Sequence, residues 1–271
     1  MKKEVKTMEY DFGKIEKKLA KYLDQPRFLH TMGVMYTSAS LAMVHDCDLQ
    51  KAQVAGLLHD CAKCIPNKKK LKLCSKNKIP VTDFEKVHPF LLHAKLGAYI
   101  AREKYHITDP EILSAITWHT TGKPEMTLLE KIVYIADYIE PLRDKAPNLP
   151  KIRKIAFQDL DACMYEILKD TLAYLDTDPD AIDEMSRKAF IYYNDLQKGK
   201  KAHERKSYLS LLRRSGHHRH HSLVEGELRL RSHLLLHRLR SGGRTGRSGR
   251  KSHLLRSFQA LHRRHHRRIL R

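Results

Sequence analysis

Between Met1 and Gln197 the histidines stand at His30, His45, His59, His88, His93, His106 and His119, and two of them open a His-Asp dipeptide. His45-Asp46 runs into Cys47-Asp48, a polar turn in which water can serve both side chains. His59-Asp60 instead ends the apolar run Val54-Ala55-Gly56-Leu57-Leu58, so an imidazole and a carboxylate leave a buried helix terminus together. Taking a carboxylate out of water is costly unless a cation or a dense set of donors compensates. His93 follows Leu91-Leu92 and precedes the small residues Ala94 and Gly97; His119 lies three residues after Ile116; Asp137 lies four after Val133. One histidine on an apolar face is ordinarily a satisfied core residue. Four imidazoles and two carboxylates, with His30 counted on the first long helical pattern, are hard to bury without metal. Nitrogen and oxygen donors without thiolate suit iron, manganese or similar ions.

Helices must position these groups. Pro26 to Val44 carries Leu29, Met32, Tyr36, Ser40 and Met43 near a 3.6-residue period. Lys51 to Asp60 reads as a shorter helix, broken by Pro66 and Asn67-Lys68-Lys69-Lys70, and Pro89 to Tyr105 resumes with Leu92, Leu96 and Ile100 on one stripe. Asp109-Pro110 and Asp178-Pro179 each place a capping carboxylate before a proline at a helix start. Thr127 to Glu140 puts Leu129, Val133, Ala136 and Glu140 on one face, and Lys151 to Leu175 and Pro179 to Leu196 complete the set. No run alternates with period two between turn signals, so the fold class expected is all-α.

The formal charge of +21 is unevenly spread: residues 198–271 hold 22 Lys+Arg against 3 Asp+Glu, and the rest is close to neutral. Two regions follow, a body over 1–197 and a basic Arg/His/Leu/Ser-rich tail over 198–271, expected to be disordered or non-native because it has little with which to build a core. A nucleic-acid or ribosome-binding arm is the other reading of the tail, since clustered arginine neutralises phosphates. No apolar run approaches a membrane span, and no apolar segment follows the basic start. Five cysteines, odd in number, suit reduced thiols in a cytoplasm, and Cys61-Ala62-Lys63-Cys64 lacks a second pair for a zinc site. Neither a P-loop nor a GxGxxG is present.

The order His30 … His59-Asp60 … Asp137 resembles the H…HD…D pattern of HD-domain phosphohydrolases. The words Arg27-Phe28-Leu29-His30-Thr31-Met32-Gly33-Val34, His93-Ala94-Lys95-Leu96-Gly97-Ala98-Tyr99, His119-Thr120-Thr121-Gly122-Lys123-Pro124 and Met126-Thr127-Leu128-Leu129-Glu130-Lys131, with Ala136-Asp137-Tyr138-Ile139-Glu140-Pro141, are similar to those of the YqeK-type symmetrical diadenosine tetraphosphatases. The likeness spans about Tyr10 to Leu196 and does not reach the tail; Cys61 and Cys64 stand where an aromatic and another apolar residue are expected. The resemblance implies an HD-type helical bundle around a dinuclear site. His30, His59, Asp60 and Asp137 would hold one transition-metal ion, and Asp60 would bridge to a second held by His93 and His119, with iron favoured over manganese. Two cations about 3.5–4 Å apart can share a hydroxide that attacks a phosphorus in line, and diadenosine tetraphosphate would be cut to two ADP.

Asp60 and Lys63 are then the expected catalytic residues. Arg27, Lys63, His93, Thr120, Gly122 and Arg143 are expected at the phosphates or ribose, the last as the guanidinium clamp. Tyr193-Asn194 is expected to line the nucleoside pocket, and His88 to face either the cleft or the surface. The implied partner is a dinucleoside polyphosphate, with no membrane, non-specific polyanion contact through the tail, and a homodimer left open. The alternatives are another HD phosphohydrolase, acting on mononucleotides or cyclic dinucleotides, or an RNA- or ribosome-associated factor working through the tail.

Overall fold

The computed structural model describes residues 10–175 and 182–214, and the described residues divide into two units between His203 and Glu204. All regular structure among the described residues is helical. The order is α1 (Phe12–Leu19), α2 (Gln25–Val44), α3 (Leu49–Leu58), α4 (Asn67–Lys76), α5 (Asp83–Val87), a 3-10 turn (Pro89–Leu91), α6 (Leu92–Tyr105), α7 (Pro110–Trp118), α8 (Leu128–Ile139), α9 (Leu149–Ala156), α10 (Leu160–Leu175) and α11 (Glu184–Arg214). None of the described helices is long and apolar enough to cross a membrane.

Side chains at the helix starts set the boundaries. Asp24 accepts from Arg27 N and Asp48 from Lys51 N, while Asp109 accepts from Glu111 N ahead of Pro110. Thr127 and Glu130 close a reciprocal capping box at α8, worth about 1 kcal/mol. The inner layer is α2, α3, α7 and α8, packed on one another, with α6 against α7 and α10 against α8 and α9. The C-terminal half of α3 is wholly apolar, and Val54, Ala55, Gly56, Leu57 and Leu58 are all buried. Gly56 lets it lie close on α2: a Cβ there would stand 2.8 Å from Ser38 Oγ and 3.1 Å from Met35 Cα. The chain turn after α3 is thereby fixed in the interior.

Several sequence expectations need correction. Leu29, Tyr36 and Met43 mark the outer face of α2, at 50%, 61% and 65% exposure, while Val34, Met35, Ser38, Leu41 and Ala42 face the core. Pro66 does end the preceding turn, but Asn67 to Lys70 begin α4, with Lys69 N and Lys70 N bonding back to Pro66 O. The stretch from Lys151 to Leu175 is two helices, because Asp159 turns its carboxylate to Ala162 N and caps the second. The Asp178-Pro179 start lies outside the described residues; α11 opens at Glu184, with Asp183 accepting from Met185 N. Nor does the backbone change at Gln197: α11 continues to Arg214, and Lys200 pairs with Asp159 at 3.0 Å. Of the segment 198–271, everything after Arg214 lies outside the described residues.

Candidate metal centre

Five elements deliver six side chains to one point. His30 comes from the second turn of α2, His59 and Asp60 from the end of α3, His93 from the start of α6, His119 from the end of α7 and Asp137 from the last turn of α8. His59, Asp60, His93 and His119 are at most 2% exposed and His30 is 8% exposed. Three of the imidazoles are oriented in the same way: Nδ1–H of His59, His93 and His119 donates to the carbonyls of Gly56, Phe90 and Ile116, at 2.6, 2.6 and 2.7 Å. Each partner lies three residues upstream. Helix ends leave carbonyls without an intrahelical partner, and for His59 and His119, the residues closing α3 and α7, such carbonyls are within reach. His30 differs, since its Nδ1 faces Oε1 of Glu140 at 3.1 Å.

With Nδ1 donating, every Nε2 presents a lone pair to the centre. Asp60 lies between them. Its Oδ2 is 3.5 Å from His59 Nε2 and 3.9 Å from His30 Nε2, and Asp137 Oδ1 is 3.1 Å from the same His30 atom. Its Oδ1 faces the other way, 3.1 Å from His93 Nε2 and 3.5 Å from His119 Nε2. The two latter nitrogens are themselves 3.1 Å apart. Lone pairs and carboxylate oxygens at these distances repel unless a cation lies among them, and His30 Nε2, His59 Nε2 and Asp60 Oδ1 are buried with no hydrogen-bond partner. Leaving such groups bare costs several kcal/mol each when one is ionised. The triads His30/His59/Asp60 and Asp60/His93/His119 each bring their donor atoms within 4.8 Å of one another. The donor set fits transition-metal ions, and a carboxylate with one oxygen toward each triad fits a bridge.

The electrostatics support the same division. Burial raises the Asp60 carboxyl, but His59, His119 and His93 outweigh it and hold Asp60 well below the usual carboxylate range. Burial also opposes ionisation of Asp137, yet its hydrogen bond with His30 and the charge of His59 bring it far down. His30 is lowered by burial and raised more by Asp137 and Glu140, so it ends above its ordinary value. His93 goes down to about 4, through burial and the neighbouring His119 and Lys63, against the pull of Asp60.

Cations ring the cluster. Arg27 Nη1 donates to Asp60 Oδ2 at 2.7 Å; Lys63 Nζ is 3.7 Å from Asp60 Oδ1 and 3.2 Å from His93 Nε2. Arg143 folds back over the end of α8, with Nε on the Asp137 carbonyl and Nη2 on its Oδ1, at 3.0 and 2.8 Å. Thr120 Oγ1 is 3.2 Å from His93 Nε2 and 3.1 Å from His119 Nε2. Two expectations do not hold as stated. Gly122, at φ 66°, is buried and its N–H already donates to Trp118 O, so no amide is left there for a phosphate. Tyr193 is 1% exposed, its hydroxyl accepts from Met126 N, and the side chain belongs to the core; Asn194 beside it is half-buried. His88 packs on Phe84 and Phe90, with ring centroids 4.4 and 5.9 Å away. His45 is less solvated than expected, its Nε2 lying 2.7 Å from Ala156 O. Glu140, whose Oε1 faces His30 Nδ1, was not singled out from the sequence as a site residue, although its carboxylate stands on the buried stripe of α8.

An HD domain model matches residues 27–142. The chain is 39% identical over 153 residues to a symmetrical bis(5'-nucleosyl)-tetraphosphatase of Bacillus subtilis, covering 56% of this chain and 81% of that protein. It is 40% identical over 163 residues to the protein of the same name from Halalkalibacterium halodurans, covering 60% and 86%. Among solved structures it is similar to a predicted HD superfamily hydrolase involved in NAD metabolism from Clostridium acetobutylicum. That likeness has a TM-score of 0.66 and 35% identity, over 69% of this chain and 98% of the other.

Proposed function

This chain belongs to the HD-domain family of symmetrical bis(5'-nucleosyl)-tetraphosphatases, and from that premise we propose that it hydrolyses diadenosine tetraphosphate symmetrically, to two ADP, at a two-metal centre built on Asp60. The observation that carries the reading is the division of one buried carboxylate between two imidazole pairs, His30 and His59 on Oδ2, His93 and His119 on Oδ1. His30, His59, Asp137 and Asp60 would hold one ion, and Asp60, His93 and His119 the other. The donors are nitrogen and oxygen only, which suits iron, with manganese as the alternative. Bound there, such ions supply Lewis acidity and a nucleophile available at neutral pH.

The chain's own groups do the rest. Arg143 and Lys63 lie on the two sides of Asp60, so an inner phosphate between them would meet a guanidinium beside Asp137 and an ammonium beside His93. Arg27 sits on the Oδ2 side of Asp60 and would add charge at the same mouth. Thr120 Oγ1, beside His93 and His119, can donate to a phosphoryl oxygen. Burial of the imidazoles and of Asp60 keeps bulk water away from the donor atoms.

Product analysis is the direct test. The purified chain with added iron or manganese should convert diadenosine tetraphosphate to ADP alone. ATP plus AMP would refute symmetrical cleavage, and turnover of only mononucleotides or cyclic dinucleotides would move the chain to another HD activity.

A further inference from the structure

Glu140 closes α8 three residues after Asp137, and its side chain is 2% exposed. A buried carboxylate needs donors, and this one has two. Oε1 accepts from His30 Nδ1 at 3.1 Å and Oε2 from Leu142 N at 2.7 Å. The backbone of the same residue is tied down as well, its carbonyl taking Nη2 of Arg153 at 2.9 Å and the N–H of Arg143 at 3.0 Å. Space for the carboxylate is provided by α2, where a Cβ on Gly33 would stand 2.7 Å from Oε2.

We propose that Glu140 is the positioning residue of the His30 side of the centre, an assignment that rests on reading the Asp60 cluster as a metal site. A carboxylate accepts only, so the imidazole must carry its proton on Nδ1 and direct the Nε2 lone pair at Asp60 and Asp137. The other three imidazoles lean on neutral carbonyls of their own helical turns. His30 alone leans on an anion from another helix, which couples its ring to the end of α8, where Asp137 and Arg143 also sit. Partners of this kind are worth about 10–100-fold in metal affinity.

The test compares the metal-loaded full chain with Glu140→Gln, Glu140→Ala and Gly33→Ala, reading metal affinity by chelator competition and the melting temperature in excess chelator. Glu140→Gln keeps the shape and removes the charge; Gly33→Ala keeps the charge and displaces it. All three should lose metal about 10–100-fold more readily than wild type, while the chelator-treated melting temperature of Glu140→Gln stays near that of wild type. Wild-type affinity in Glu140→Gln and Gly33→Ala would overturn the assignment. So would a loss of affinity that only follows a fallen melting temperature in both. If the wild-type chain itself takes up no metal, the failure belongs to the metal reading.

Discussion

Around Oδ2 of Asp60 stand His30, His59 and Asp137, with Glu140 behind His30 and Arg143 across Asp137; around Oδ1 stand His93 and His119, with Lys63 and Thr120 beside them. The first side is rich in carboxylate, and its charges are balanced by guanidinium. The second has no carboxylate but the shared one, and its two imidazoles are held by local carbonyls next to an ammonium. A cation binds more tightly where negative charge and ligand number are greater. The Oδ2 side should therefore hold its ion firmly, and the Oδ1 side should hold its ion weakly and remain open to phosphate. On the two-metal reading proposed above, the one shared carboxylate would serve a strong and an exchangeable position.

The largest effect expected comes from removing what the sides share. Asp60→Asn should empty both and lower turnover at least ~10³-fold, about 4 kcal/mol of barrier; elemental analysis alongside kinetics would show a false bridge if one side kept its ion. Next, Arg143→Ala should lower turnover about 10²-fold with metal content intact, because Arg143 touches a ligand and not the ion. Loss of metal in that variant would make it structural. The comparison itself is sharpened by His30→Ala against His119→Ala. After dialysis against chelator, the His119 variant should retain metal that the His30 variant has lost, and the reverse order would break the asymmetry.

Acidity separates the sides in the metal-free chain. The folded value of His93, about 4, lies below the ordinary 6.5, so between those limits the unfolded chain binds the extra proton and His93 subtracts stability as pH falls. His30 is shifted the other way: its contribution is full below 6.5 and is lost as pH rises through its higher folded value. Imidazole resonances followed by NMR should show His30 protonating before His93 as pH falls; the opposite order would contradict the charges assigned to the two sides. The smallest effect is expected outside both. Truncation after Arg214 should leave metal content, turnover and melting temperature unchanged, and the binding of RNA by the full chain should vanish between low and physiological salt. RNA binding that survives physiological salt and needs the removed residues would give the tail a function.

Local signals were the legible ones. The Asp109 cap ahead of Pro110 and the helix start at Thr127 are features of single turns, and α7 and α8 begin where those residues stand. The inward stripe of α8 was equally plain, since Leu129, Val133, Ala136 and Glu140 recur at helical spacing and all four are buried. On α2 the same reasoning selected the outer face. The inner face meets α3 at close range and mixes Val34, Met35 and Leu41 with the small residues Ser38, Ala39 and Ala42, so its period is harder to read. Tyr193 misled for a related reason: an aromatic with a hydroxyl suits a nucleoside pocket or a core equally well, and Met126 N decided the matter.

The residue types and their order determined that imidazoles and carboxylates would meet, because burying them on apolar helices has few other solutions. They also determined how His59 and His119 are oriented, since the carbonyl each uses belongs to its own helical turn. Only tertiary structure decided how the set is divided. Which oxygen of Asp60 faces which imidazole depends on how four helices cross, and the pairing of His30 with Glu140 spans 110 residues. Contacts of that range are fixed by packing between elements, and no periodicity within one element can encode them.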